Sequence, residues 1–320
     1  MKAIVVEGYG EPEVMRLVEC DIPEPEAEEV LVQVEAIGVN PVDTYVRAGA
    51  YPVLPKLPYT PGKDLSGRVV KVGDGIKKWK KGDRVYSAGT RSGAYAEYAV
   101  CHHSQIFSLP ESLDFFQGAA VGIPGAAAWR ALLTRARGRK GERLLIHGAS
   151  GSVGMIAIQL AVARGLTVYG TAGSDRGMDN IRKAGVLKAY NHSSASYLKD
   201  IQADCGDRGV DIILEMLANV NLDRDLELLG VGGRVVIIGS RGTISIDPRA
   251  TMAKETEILG MSLFNSSEAE MKEAQVGLYQ LMSEGRLVPE ISVKMELDQA
   301  PQAHRMILES GNCGKILLVP

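Results

Sequence analysis

Arg143-Leu144-Leu145-Ile146-His147-Gly148-Ala149-Ser150-Gly151-Ser152-Val153-Gly154-Met155 is the stretch on which the fold turns. A short apolar run leads straight into three glycines at G-x-x-G-x-x-G spacing. The residues from Met155 to Ala163 that follow are rich in Ala, Ile and Leu, which favour helix. Strand, glycine turn and helix in this order open a βαβ unit. Gly148 lets the backbone reverse, Gly151 lets it approach a pyrophosphate with no Cβ in the way, and Gly154 lets the helix pack closely on the strand. The helix N-terminus then offers its N–H groups and the positive end of its dipole to phosphate. The spacing differs from the usual G-x-G-x-x-G, so the order of elements carries as much of this assignment as the glycines.

Working outward, the runs Leu166 to Gly170, Val210 to Leu214 and Arg234 to Ile238 are short and continuously apolar, as strands covered on both faces are. The segments between them are long enough for crossover helices, which predicts a doubly wound parallel sheet. Before the turn, Lys2 to Glu7, Glu29 to Gly38, Gly67 to Val72 and Arg84 to Ser87 read as strands punctuated by Pro and Gly turns, the texture of a partly open β domain. After Gly260 the pattern is mixed, with a helix expected over Ser267 to Glu284 and a last strand at Lys315 to Val319. The expectation is an α/β chain in which residues 122–260 form a Rossmann domain inserted in a β-rich domain of residues 1–121 and 261–320.

Thirty-six Lys and Arg against 39 Asp and Glu, in 320 residues, leave no global field to attract nucleic acid. The one basic stretch, Arg135-Ala136-Arg137-Gly138-Arg139-Lys140, is short. Cys20, Cys101, Cys205 and Cys313 never stand at CxxC spacing, which argues against a zinc knot or a disulfide scaffold. No apolar run reaches the roughly 20 residues that cross a bilayer. The N-terminal residues lack the features of a signal peptide. A cytoplasmic protein without membrane attachment is expected.

An NAD site ends its second strand on a carboxylate that accepts from the ribose hydroxyls. Here that strand runs into Thr171-Ala172-Gly173-Ser174, small residues with Arg176 just beyond, although Asp175 stands between them. His192 falls at the end of the next strand. Cationic and hydrogen-bonding groups of this kind suit a 2′-phosphate, so the expected cofactor is NADPH.

With these motifs in place the chain resembles the zeta-crystallin family, the zinc-free, NADPH-dependent quinone reductases of the medium-chain dehydrogenase/reductase superfamily. The resemblance rests on Gly38-Val39-Asn40-Pro41-Val42-Asp43-Thr44-Tyr45, Leu57-Pro58-Tyr59-Thr60-Pro61-Gly62, the glycine turn, Glu215-Met216-Leu217-Ala218-Asn219-Val220-Asn221-Leu222, Gly239-Ser240-Arg241-Gly242-Thr243-Ile244 and Thr251-Met252-Ala253-Lys254-Glu255. It implies a GroES-like catalytic domain, the cofactor in the cleft between the two domains, and a homo-oligomer of two or four subunits. It further implies that cofactor contacts fall on Tyr45, Ser150, Gly151, Ser152, Val153, Gly173, His192, Asn221, Ile238, Gly239, Ser240, Arg241, Ser262, Leu263 and Phe264. Gly148, Gly154, Ser174 and Arg176 join that set from the residue reading. Zinc-dependent relatives place a Cys near the position of Asn40 and a His-Glu pair where this chain has Lys63-Asp64, so no metal ligand set is expected.

The expected reaction is reduction of a quinone by hydride or one-electron transfer, with reduction of an enone double bond as the alternative. RNA binding or a structural role with retained NADPH is a further alternative that the resemblance allows. Asn40, Tyr45 and Tyr51 are the catalytic candidates. Either phenol could donate to a carbonyl oxygen gaining charge, or serve only to pack the nicotinamide. Where the family commonly carries Tyr-Phe-Thr this chain has Gly125-Ala126-Ala127, which predicts a wider or reshaped acceptor site.

Overall fold

The computed structural model describes every residue except Ser310. The chain starts with β1 (Lys2–Val6), β2 (Met15–Glu19) and β3 (Glu29–Gly38), followed by a short helix of about two turns, α1 (Pro41–Arg47). Then come β4 (Asp64–Val72), β5 (Arg84–Ser87), β6 (Tyr98–His102), β7 (Ile106–Ser108), α2 (Phe115–Ala119) and α3 (Gly122–Trp129).

From there strands and helices alternate: β8 (Arg143–Ile146), α4 (Ser152–Ala163), β9 (Thr167–Ala172), α5 (Asp175–Ala184), β10 (Lys188–Asn191), α6 (Tyr197–Cys205), β11 (Val210–Glu215), α7 (Ala218–Leu228), β12 (Leu229–Ile237), α8 (Arg249–Met252) and β13 (Glu257–Gly260). The chain continues through α9 (Glu268–Ser283), β14 (Ile291–Glu296), α10 (Ala300–Met306) and β15 (Lys315–Val319).

Two compact units result: Met1–Pro124 with Met282–Pro320, and Gly125–Leu281. In the first, a seven-stranded sheet has the order β14-β15-β3-β4-β5-β7, with β6 also on β3. Alternation along β3 sends Val30, Val32 and Val34 into a core with Leu65, Val69, Val85, Ile316 and Leu318, which Ile37 joins after a register shift between Val34 and Ala36. In the second, the order is β10-β9-β8-β11-β12-β13, every neighbouring pair parallel. Leu144, Leu145, Ile146, Ile212, Ile213 and Leu214 are fully buried, as the continuous apolar runs predict.

The return to the first unit falls later than the expected 260/261. Residues 261–281 pack with the sheet of the second unit, because Gly277 on α9 backs onto the Trp129 ring, where a Cβ would come within 1.9 Å of Cη2. Arg130 Nη1 also lies 2.7 Å from Glu270 Oε2. Among the described residues no helix is long and apolar enough to cross a membrane.

Candidate functional site

In the second unit the glycine turn joins β8 to α4. Gly148 takes φ +59°, a left-handed conformation that favours glycine. Its N–H donates to Thr171 Oγ1 (3.2 Å), and Ala149 N–H donates to Thr171 O (2.8 Å), which ties the turn to β9. A Cβ on Gly154 would meet Ala149 O at 2.5 Å, so the close approach of α4 to the turn demands glycine. Gly151 differs, since a Cβ there would meet nothing of the chain nearer than Gly148 O at 3.4 Å. The fold leaves room at Gly151, which is also the N-cap of α4 and carries no side-chain cap. The first-turn N–H groups of a twelve-residue helix therefore face a half-exposed surface formed by Gly151, Ser152 and Val153, with Ser150 buried beneath them.

β9 ends without a carboxylate. Gly173 and Ser174 follow it, and Ser174 caps α5 by accepting from Gly177 N (3.2 Å). Asp175 and Arg176 are exposed in the first turn of α5. A Cβ on Gly173 would lie 2.6 Å from His192 Nε2, so the missing side chain lets the imidazole lie along the end of β9. Burial, and then the charge of His147, lower the pKa of His192. It is a neutral hydrogen-bonding group at neutral pH.

The turns after β11 and β12 clasp one another. Ala218 N–H donates to Gly239 O (3.0 Å), Ile238 N–H to Glu215 O (2.8 Å) and Arg241 N–H to Asn219 Oδ1 (2.8 Å). Ser240 Oγ donates to Gly242 O (3.0 Å), and Asn221 in α7 donates to Glu215 Oε1 (3.2 Å). Ser262, Leu263 and Phe264 follow β13, with Phe264 largely exposed. Every cofactor residue expected in this unit thus stands at the C-terminal edge of a parallel sheet, where such sheets bind ligands.

Pattern reading missed one cluster beneath that edge. His147, Glu215 and Asp225 are all buried, with His147 Nε2 3.0 Å from Asp225 Oδ1 and 4.0 Å from Glu215 Oε2. Among the described residues it is the one group of three His, Cys, Asp or Glu side chains whose ligand atoms converge.

In the first unit Asn40 caps α1. Its N–H donates to Asp43 Oδ2 (2.9 Å), its Nδ2 donates to Asp64 Oδ2 (2.9 Å), and its Oδ1 accepts from Lys315 Nζ (2.7 Å). Lys315, itself 1% exposed, also donates to Asp64 Oδ2 (2.8 Å), and Asp64 Oδ1 accepts Ile123 N–H (2.7 Å). Both ends of the Asn40 amide are thus engaged inside the protein. Burial, resisted by the Asn40 N–H, raises the Asp43 carboxyl to about 6. Tyr95 Oη links Asp43 (3.3 Å) to His304 Nε2 (3.0 Å).

Tyr45 lies on α1 and Tyr51 in the irregular segment after it, both half-buried. Burial raises the Tyr51 phenol, which stays a donor at neutral pH. Gly125, Ala126 and Ala127 are buried in α3 and present no open wall, so exposure gives the expected wider acceptor site no support. The basic stretch is tied down as well: Arg137 forks onto both oxygens of Glu257, and Arg135 Nε donates to Gly260 O (3.0 Å).

Two family models match, "Alcohol dehydrogenase GroES-like domain" over residues 26–111 and "Zinc-binding dehydrogenase" over residues 152–276. The chain is 48% identical to rat quinone oxidoreductase and 47% identical to the human one, covering 100% of this chain and 98% of each relative. It superposes on Escherichia coli quinone oxidoreductase complexed with NADPH at a TM-score of 0.89 and 30% identity, each chain covered in full. An NAD-dependent alcohol dehydrogenase gives 0.93 at 25% identity, again over both chains in full. On these grounds the chain belongs to the zeta-crystallin family of quinone oxidoreductases, within the medium-chain dehydrogenase/reductase superfamily.

Proposed function

We propose that this protein reduces quinones with NADPH and without zinc. The observation that carries the reading is the end of β9, where no carboxylate stands and Gly173 admits His192, with Arg176 exposed in the first turn of the helix that follows. The turn Gly148–Gly154 and the first N–H groups of α4 fit a pyrophosphate, because a Cβ at Gly151 would meet nothing of the chain nearer than 3.4 Å, so the fold itself leaves room there. Ser174, Arg176 and His192 would hold the 2′-phosphate. Asn221, Ile238–Arg241 and Ser262–Phe264 would hold the rest of the dinucleotide. When bound, NADPH supplies the reducing equivalents. Tyr45 or Tyr51 then acts as a hydrogen-bond donor to the acceptor oxygen that gains charge.

Zinc does not fit the first unit. The cation between Asn40 and Asp64 is the Lys315 ammonium, and among the described residues of that unit no three His, Cys, Asp or Glu side chains converge. The reaction therefore draws on no Lewis acid, which a conjugated acceptor does not require because it delocalises the arriving charge. Assembly of copies belongs to the same proposal. β13 pairs only with β12 among the described residues, and Ile258 on it and Val231 and Met252 near it are exposed, a sheet edge of the kind another chain covers.

Oxidation of NADPH and NADH against an ortho-quinone and an enone tests the whole reading. NADPH is expected to be preferred by about tenfold or more and the quinone over the enone, unchanged by a chelator. Gly151→Ala should keep the wild-type melting temperature and lose NADPH affinity. Equal use of NADH, preference for the enone, or activation by added zinc would overturn the corresponding part.

A further inference from the structure

The buried cluster beneath the glycine turn has no part in the reaction as proposed, yet it joins the elements that carry the nucleotide turns. His147 is the last residue before Gly148, and its N–H donates to Leu214 O (3.0 Å) of β11. Glu215 is the last residue of β11, and its Oε1 accepts the N–H of Leu217 and the amide of Asn221. Asp225 reaches in from α7. On the far side of the imidazole, Nδ1 is 3.4 Å from Thr171 Oγ1, the atom that also accepts Gly148 N–H. Four elements, β9, β8, β11 and α7, meet at one imidazole.

We propose that His147, Glu215 and Asp225 are positioning residues for the dinucleotide: a sealed, proton-balanced lock that fixes the glycine turn against the turn carrying Asn221. The inference rests on the reading that the dinucleotide sits on that turn. Two carboxylates and one imidazole are shut away from water, with no Lys or Arg paired to them among the described residues. His147 Nε2, both oxygens of Asp225 and Glu215 Oε2 have no hydrogen-bond partner among the described residues, so the 3.0 Å approach of His147 to Asp225 is a charge contact. Such a group is stable only near neutrality. Imidazolium against the Asp225 carboxylate leaves Glu215 as the acid that keeps its proton.

Desolvation lowers the His147 pKa, but Asp225 beside it and the charge of Glu215 outweigh this and raise it. Desolvation raises Glu215 to about 7, opposed by His147 and reinforced by Asp225. His192, beyond the end of β10, is the other titratable group coupled to His147. Above neutrality Glu215 ionises, the lock carries an uncompensated negative charge, and the turn loosens beside a ligand that is itself anionic. Affinity falls as pH rises.

Dissociation constants for NADPH and NADH are measured by fluorescence on the intact protein at pH 6 and pH 8.5. NADH removes the 2′-phosphate and its partners from the comparison. The wild type is expected to weaken about threefold or more toward both dinucleotides across that range, and Glu215→Gln, a neutral isostere, to match the wild type at pH 6 and lose the slope. Asp225→Asn strands the imidazolium and is expected to weaken both about tenfold at either pH, with thermal unfolding monitored to confirm a folded protein. The lock is overturned if Glu215→Gln keeps the wild-type slope, if it binds tenfold more weakly at pH 6, or if metal analysis finds an ion held by these three residues. A wild type that binds neither dinucleotide overturns the functional reading, and the lock with it.

Discussion

Replacing Lys315 by Met tests how much the first unit depends on the sealed ion pair of Lys315 with Asp64. The ammonium is 1% exposed and the carboxylate 0%, 2.8 Å apart, so the shortened charge-free side chain fills much of the space but leaves a carboxylate in the interior with no counter-charge. Breaking such a pair costs about 3–5 kcal/mol. Asp64 keeps the Asn40 amide at 2.9 Å and the Ile123 N–H at 2.7 Å, which places the loss toward the lower end, about 3 kcal/mol. For a unit of this size that lowers the melting temperature by roughly 6–12 °C. The assay is thermal and urea denaturation of the full chain, with Asp64→Asn and the double variant measured in parallel. If the cost is an unpaired buried charge, the double variant recovers at least about 1 kcal/mol of what the single loses. A single variant within about 1 kcal/mol of wild type, or a double variant no better than the single, would refute the reasoning.

Three further outcomes are expected. Asp43 titrates at about 6 when folded against 3.8 unfolded, so its contribution is complete below pH 4 and lost as pH rises through 6, about 3 kcal/mol in all; Asp43→Asn should flatten that part of a pH–stability curve. Ala126→Phe inserts a ring where α3 is buried, and should cost about 1–3 kcal/mol in denaturant titrations instead of simply narrowing the range of quinones accepted. Because Glu257 neutralises Arg137, the 135–140 stretch should not retard RNA in a gel at physiological salt, and a shift in the wild type that Glu257→Gln fails to strengthen would count against this.

The parts of this fold that were legible in the sequence are those whose message is local. The glycine turn, the continuous apolar strands and β3, found at Glu29–Gly38 as read, need only their own residues to declare themselves. Helix α1 was hidden because its seven residues mix Pro, Val and Thr; what makes it helical is Asn40 capping it with Asp43 and the burial of Thr44 and Arg47. The late domain boundary depends on one glycine meeting one tryptophan. The site divided in the same way. Residues following strand ends could be placed by counting, whereas Lys315 finds Asn40 and Asp64 across separations of 275 and 251 residues, and no periodicity records that.

β15 has a consequence for synthesis. It inserts between β14 and β3, and it brings the ammonium that Asp64 requires, yet it is translated some 280 residues after β3. At about 5–20 residues per second, roughly 15–55 s pass on the ribosome during which β3 has an unfilled side and Asp64 has no cation. Residues 125–281 emerge as one uninterrupted stretch with all their sheet partners present, so they can fold while the first unit waits. The nascent N-terminal half is then a half-built sheet with an open edge, the state in which this chain is most exposed to aggregation and most in need of a chaperone.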